Sequence, residues 1–352
     1  MRAARWHARR DVRVEEVPAP VPAAGEVLVR VELCGICGTD VEEYRDGPLA
    51  IDTERPHPLT GTRAPLALGH EVVGVIAGHG PGTDAGRLPV GTRVIPDVVL
   101  GCGTCWWCRR HQEGVCARQA VRGLNLDGGL AEYMVADAAT CVPVPDHVPP
   151  RMAVLAEPAA VAVRALRKAG DVTGGTVLVL GAGAIGLLLT RVAVAAGIQV
   201  VTSETADSRR EAARHAGAVA VRPEETAATI DRLTDGRGAD AVFECTGLPA
   251  LLPDAIRHCR ARGTVVIVGF SGRDAAVPLA DVVLKEKRLV GTAAHLWDED
   301  VTAGVRLLAS GVIDPALVPV RVASLDEVPA LLAVPDQEVV KVAIDPCGQE
   351  EV

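Results

Sequence analysis

Aromatic residues make up only 2% of this 352-residue chain. That is too few for the stacking platforms on which single-stranded nucleic acids lie. No block of Lys or Arg stands out, and the formal net charge is −9. A surface built for nucleic acid or an anionic membrane is therefore excluded. Behind the basic opening MRAARWHARRDVRVEE there is no apolar core, so a secretory signal is not expected and the expected location is the cytoplasm. Long-period repeats and low-complexity linkers are missing too. One uncharged stretch, residues 172–190, is long enough to suggest a membrane span. It holds five glycines, at 174, 175, 181, 183 and 186, and reads instead as a turn, a buried strand, a tight loop and a helix start.

What is present is a chain longer than one hydrophobic core usually serves, so two domains are expected. In the first half, Val12 and Val14, then Val27, Val29 and Val31, alternate with charged residues in the manner of strands. Further short strands are expected at 71–77 and 92–96, with a loop over 46–66. From about Met152 the texture changes to βαβ alternation: strands at 176–180, 199–202, 241–244 and 264–268, helices at 184–196 and 207–216. This pattern implies a doubly wound parallel sheet. It ends near Leu296, and a last strand is expected over 339–344. The expected domains are 1–151, 152–295 and a return segment, 296–352.

The strand at 176–180 runs into Gly181-Ala182-Gly183-Ala184-Ile185-Gly186. This G-x-G-x-x-G follows a strand and opens a helix, the context a Rossmann dinucleotide site needs. The glycines allow the turn, the approach of a pyrophosphate and close helix–strand packing, and the helix N-terminus favours the phosphates. Glu204 ends the next strand, 18 residues after Gly186. Its carboxylate would accept hydrogen bonds from the adenosine ribose hydroxyls and repel a 2′-phosphate, favouring NAD over NADP. Arg209 and Arg210 lie nearby as opposing charges, and Arg209 is counted with the cofactor residues.

The chain has ten cysteines. Cys102, Cys105, Cys108 and Cys116 form C-x2-C-x2-C-x7-C, a spacing that suits one tetrahedral Zn²⁺ with no open position. Two disulfides in so short a loop would be strained. A dispersed set offers a thiolate, an imidazole and carboxylates: Cys37, His70 with Glu71, and Glu157. Together they would fit a second, catalytic zinc with one position open. Cys34, Cys141, Cys245, Cys259 and Cys347 carry no assignment, and His57, His111 and His295 read as loop or surface residues.

The motifs Gly35-Ile36-Cys37-Gly38-Thr39-Asp40, Gly69-His70-Glu71, the four-cysteine lobe, Glu157-Pro158 and Gly181–Gly186 stand in this order. In that order they resemble zinc-containing medium-chain dehydrogenases. Residues 43–48 and 56–61 are similar to the 2,3-butanediol dehydrogenase branch. The resemblance implies an α/β protein in which a Rossmann domain is inserted into a β-rich, GroES-like catalytic domain, with the active site in the cleft. It also implies a homodimer or homotetramer. The catalytic zinc ligands carry over onto Cys37, His70 and Glu157, with Glu71 as an alternate ligand or a partner of one. A second Cys often stands where this chain has Glu157, and Glu there resembles the polyol, threonine and butanediol branches. Thr39 would hydrogen-bond the substrate oxygen and begin proton transfer. Many relatives carry a relay His five residues after the zinc Cys, where this chain has Glu42. Glu42 could serve as the relay, could grip a polyol hydroxyl, or could be a solvated residue like its neighbour Glu43.

The expected reaction passes a hydride between NAD and a secondary alcohol, with zinc as Lewis acid. A small vicinal diol or hydroxy ketone such as 2,3-butanediol or acetoin is the first choice of substrate, and a sugar, cyclitol or other polyol the second. A non-catalytic NAD-binding protein is the alternative of another class. The presence of Cys37, His70 and Thr39 argues against it.

Overall fold

A computed structural model describes residues 1–334 and 339–348. The chain divides into two compact units. One comprises Met1–Glu157, Ala294–Ala309 and Pro319–Val352, the other Pro158–Ala293 and Ser310–Val318.

In the first unit, the strand Glu26–Gly35 is the backbone of a mostly antiparallel sheet. It pairs with Glu71–His79 on one side and, at its end, with Lys341–Asp345. Its alternation works as the sequence suggests: Val27, Val29, Val31 and Leu33 are fully buried. The three valines pack with Trp6, Ile76, Leu130, Met134 and Ile344, among others, in one core. The pairing fixes the chemistry of the site. Gly35 lies opposite Glu71 on one side and Ala343 on the other, so the ends of three distant segments meet just before Cys37.

Cys37 caps the helix Gly38–Asp46. Its backbone N–H donates to the Asp40 carboxylate at 2.9 Å, and Asp40 is fully buried. The glutamate beside Glu42 is not a solvated residue as expected. Glu43 is 1% exposed, and its carboxylate accepts the backbone N–H groups of Leu49 and Ala50 at 2.9 and 2.8 Å. It ties the following loop to the helix. Replacing Glu43 with Ala removes the acceptor of two part-buried backbone donors and should cost on the order of 1–3 kcal/mol of stability, at about 0.5–1.5 kcal/mol per hydrogen bond. Urea unfolding of the variant measures it.

Residues 46–66 form the expected loop. They enclose a cavity of about 310 Å³ lined by Ile51, Asp52, His57, Arg63 and Asn125 among others. None of Cys37, His70 or Glu157 lines it, whereas Pro56, His57 and Pro58 of the second butanediol-like segment do; the first, residues 43–48, lies mostly in the helix that follows Cys37.

The second unit contains a parallel sheet, six-stranded among the described residues. In spatial order its strands are Val219–Val221, Gln199–Ser203, Thr176–Leu180, Ala239–Glu244, Cys259–Ile267 and Arg288–Gly291. Thr176–Leu180 is buried along its whole length, as a central parallel strand covered by helices on both faces must be. The two edge strands are short and partly exposed, so neither carries the continuous apolar run that marks the centre. Among the described residues no helix is long and apolar enough to cross a membrane.

Candidate active site and metal centres

The four-cysteine lobe is a loop with two short 3-10 turns, Cys108–Arg110 and Glu113–Val115. Its four Sγ atoms lie within 4.8 Å of one another. The sulfur separations are 3.5 Å for Cys105 and Cys108, 3.8 Å for Cys105 and Cys116, and 4.0 Å for Cys102 and Cys108. Ligands on a tetrahedron with Zn–S bonds of about 2.3 Å stand about 3.8 Å apart. The donor set therefore fits Zn²⁺, and all four cysteines are free of disulfides. Backbone N–H groups of Cys108 and Arg118 point at the sulfurs of Cys105 and Cys116 at 3.4 and 3.3 Å, which favours thiolates. The lobe leaves no room at Gly101, where a Cβ would lie 2.7 Å from the Cys108 sulfur.

The dispersed set is brought together in the first unit. Cys37 Sγ lies 3.7 Å from Thr39 Oγ1. His70 is 7% exposed, and its Nδ1 is 3.5 Å from Asp40 Oδ1. Burial pulls the His70 imidazole down, but the Asp40 carboxylate and Cys37 beside it hold it well above its ordinary value. Asp40 Oδ1, His70 Nδ1 and Glu71 Oε2 are buried without an aligned hydrogen-bond partner, an arrangement that a bound cation and small side-chain turns would relieve. Among the described residues no second group of three donors converges within 4.8 Å as the cysteines do. Cys37 acts on the His70 ring and His70 on the Glu157 carboxyl, so the three lie within electrostatic reach of one another, short of ligand spacing.

The two glutamates differ in their partners. Glu71 is 2% exposed and ion-paired with Lys341, itself 4% exposed. Lys341 also donates to Ile36 O at 3.0 Å. Burial lowers the lysine, but Glu71, Cys37 and Glu157 around it raise it above its ordinary value. Glu157, in the first turn of the helix Ala156–Ala169, meets His295 instead. Its Oε1 is 3.2 Å from His295 Nδ1, and His295 Nε2 is 3.0 Å from Asp97 Oδ1. Burial raises the Glu157 carboxyl, and contact with His295 outweighs it, so the net shift is downward. The His295 ring is pushed up to about 10, its two carboxylate partners overcoming burial.

His295 lies in a loop segment, as expected, but it is 3% exposed rather than at the surface. His57 is a half-buried loop residue. His111 sits on the cysteine lobe, half-exposed, with Nε2 2.7 Å from Asp298. Sequence reasoning also missed Asp40, Asp97 and Lys341. For Lys341 a signal was present, a lone cation among Val339, Val340, Val342, Ala343 and Ile344. Glu42 is half-buried on its helix, and burial raises its carboxyl.

In the second unit, Gly181 has φ +91°, and a Cβ there would lie 2.7 Å from the Thr246 methyl. Gly183 caps the helix Ala184–Ala195, and nothing lies within 4 Å of its missing Cβ, leaving space for a phosphate. Ala184, Ile185 and Gly186 form the first turn of that helix. Glu204 lies at the end of its strand, but its carboxylate is already engaged. Oε2 accepts from Ala182 N at 2.8 Å; Oε1 accepts from Thr205 N, Thr205 Oγ1 and Ala206 N at 2.7, 3.0 and 2.9 Å. Burial opposes and these donors prevail, holding the carboxyl below its ordinary value. A cavity of about 150 Å³ beside it is lined by Gly181, Glu204, Thr226 and Leu251, among others. Arg209 is half-buried, whereas Arg210 is 3% exposed. Arg210 donates to the carbonyls of Glu204 and Thr205, which makes it a support of the loop.

Residues 23–146 match the family model of the alcohol dehydrogenase GroES-like domain, and residues 184–310 that of zinc-binding dehydrogenases. The chain is 34% identical to an (R,R)-butanediol dehydrogenase of Neisseria gonorrhoeae over 89% of each chain. It is 35% identical to an L-threonine 3-dehydrogenase of Pyrococcus horikoshii, over 84% of this chain and 83% of that one. Among solved structures, the 2R,3R-butanediol dehydrogenase of Bacillus subtilis superposes with a TM-score of 0.88 at 32% identity, covering 98% of this chain and 99% of that one. A zinc-binding dehydrogenase of Sinorhizobium meliloti bound to NADP and an Escherichia coli short chain alcohol dehydrogenase complexed with NADH each give a TM-score of 0.86. They are 29% and 27% identical, and each comparison covers 98% of this chain and 99% of the other. With the fold, the cysteine lobe and these relatives together, the chain belongs to the zinc-dependent alcohol dehydrogenases built from a GroES-like and a Rossmann-type domain.

Proposed function

We propose that this dehydrogenase interconverts a small vicinal diol and its hydroxy ketone, such as 2,3-butanediol and acetoin, with NAD as hydride carrier. Two zinc ions per chain serve it, one held by Cys102, Cys105, Cys108 and Cys116, the other by Cys37, His70 and Glu157. The observation that supports this reading is the proximity of half-buried Cys37 to buried His70 and Glu157, with Asp40 beside His70 and His295 beside Glu157. Zinc held by Cys37, His70 and Glu157 would supply Lewis-acid polarisation of the substrate oxygen. Asp40 orients His70 through Nδ1 and leaves Nε2 for the metal. Lys341 engages Glu71, which favours Glu157 as the carboxylate ligand. Thr39, beside Cys37, accepts a hydrogen bond from the substrate hydroxyl and, as it takes that proton, hands its own hydroxyl proton outward.

The diol preference rests on the butanediol dehydrogenase relatives. A panel of diols, sugars, cyclitols and hydroxy amino acids, followed by NADH absorbance, tests it. A small diol should give the highest kcat/KM, and a pronounced preference for a hexose or cyclitol would replace it. Self-association is supported by the second unit. Its edge strand Arg288–Gly291 pairs only with Cys259–Ile267 among the described residues, and Leu279, Val283 and Leu284 nearby in sequence are exposed. An unpaired edge with exposed apolar residues favours a second copy of the chain.

NAD is favoured by Glu204, whose negative charge opposes a 2′-phosphate. Because four donors hold that carboxylate, Glu204→Ala should both relax the NAD preference and loosen the glycine loop. KM for NAD should rise more than KM for NADP falls. Glu204→Gln, which keeps the shape and loses the charge, should relax the preference with less damage. Steady-state kinetics with both cofactors checks this, and a wild-type preference for NADP would contradict it.

Glu42 is read as the outward end of the proton path, since its half-burial moves the carboxyl toward a more basic range. Glu42→Gln should lower kcat and change the acid limb of the pH–rate profile. A raised KM for polyols alone would make it a substrate contact instead.

A further inference from the structure

We propose that Asp97 and His295 form a brace that positions Glu157 as a metal ligand. This rests on the reading of Glu157 as the third ligand beside Cys37 and His70. Neither brace residue belongs to any motif in the sequence. They come from two distant segments of the first unit: Asp97 follows the strand Arg93–Ile95, and His295 lies in the segment that re-enters the unit at Ala294.

The rigid end of the brace is Asp97. It is 7% exposed, and its Oδ1 accepts the Val99 backbone N–H at 3.1 Å as well as facing His295 Nε2 at 3.0 Å. Its own N–H donates to Thr140 O at 3.3 Å. The imidazole is thereby fixed by one nitrogen and presents the other, Nδ1, to Glu157 Oε1 at 3.2 Å. That nitrogen is buried and lies off hydrogen-bond alignment. A buried polar atom without an aligned partner is costly, and a small rotation of the Glu157 carboxylate satisfies it. Such a rotation leaves Oε2 for a cation. Ligating carboxylates are held by a hydrogen bond on the oxygen that does not bind the metal. The other glutamate is engaged by Lys341. The brace thus puts a donor on one oxygen of Glu157, whereas the Glu71 carboxylate is taken up by Lys341.

The test compares His295→Phe, which keeps ring volume without a donor, with His295→Asn, whose amide places a donor where Nδ1 stands. Glu157→Ala is the control. Each full-length variant is loaded with zinc and titrated with a chelator, and the Cys37–His70 site is also filled with Co²⁺ to read its visible spectrum. In His295→Phe the affinity for one of two metals should fall about 10–100-fold, as for other losses of a ligand's partner. The cobalt bands should shift, and the four-cysteine zinc should stay. His295→Asn should lie nearer wild type. If His295→Phe fails to fold, Asp97→Asn reads the same effect in milder form, since it keeps the shape and removes the charge behind the ring. Unchanged metal affinity and spectrum in His295→Phe or Asp97→Asn, with Glu157→Ala losing the metal, would overturn the brace. Retention of both metals by Glu157→Ala would instead overturn the ligand reading beneath it.

Discussion

Replacing Cys37 with Ser or His70 with Ala should leave a folded protein with one zinc per chain and almost no turnover. Each substitution removes one of the three groups proposed to hold that metal. A Lewis acid contributes several kcal/mol to the polarised transition state. At 1.36 kcal/mol per tenfold, a loss of about 4 kcal/mol lowers kcat/KM by about 10³-fold. Thr39→Val gives the contrasting result. It keeps both zinc ions and slows the reaction by about 10²–10⁴-fold, the range for a lost proton-transfer partner. Metal analysis beside steady-state kinetics separates the two, and full activity in Thr39→Val would remove it from the mechanism.

Cys105→Ser should act on stability instead. Its sulfur lies 3.5 and 3.8 Å from those of Cys108 and Cys116, so its loss opens a closed four-thiolate site. Structural zinc in small domains contributes about 10–16 kcal/mol. The first unit has a core of its own, so only a part of that applies. A third of it, about 3–5 kcal/mol, lowers Tm by roughly 10 °C in a domain of this size. Turnover per folded molecule at low temperature should change far less. A Cys105→Ser protein that melts like wild type yet has lost turnover would contradict the division of roles between the two centres.

The parts of this protein that could be read from its sequence are those where one local pattern has one physical cause. Thr176–Leu180 followed by the glycine loop is such a case, because a buried parallel strand and a tight turn leave few alternatives. The cysteine lobe is another. The edge strands Val219–Val221 and Arg288–Gly291 escaped, since half-exposed edges lack a continuous apolar run. Glu43 reads from sequence as part of a solvated helix face, but its burial depends on where the chain turns six residues later. His295 and Asp97 escaped for a related reason. Their roles arise from the return of the chain to the first unit, which no local window contains. Lys341 was the one partner visible in principle, as a charge inside an apolar strand.

The most direct test of the account is the position of zinc in a crystal of the as-purified enzyme, read from anomalous scattering at the zinc edge. Two peaks per chain are expected, one enclosed by Cys102, Cys105, Cys108 and Cys116, the other bounded by Cys37, His70 and Glu157. A single peak in the cysteine lobe, in protein that still oxidises diols, would contradict it.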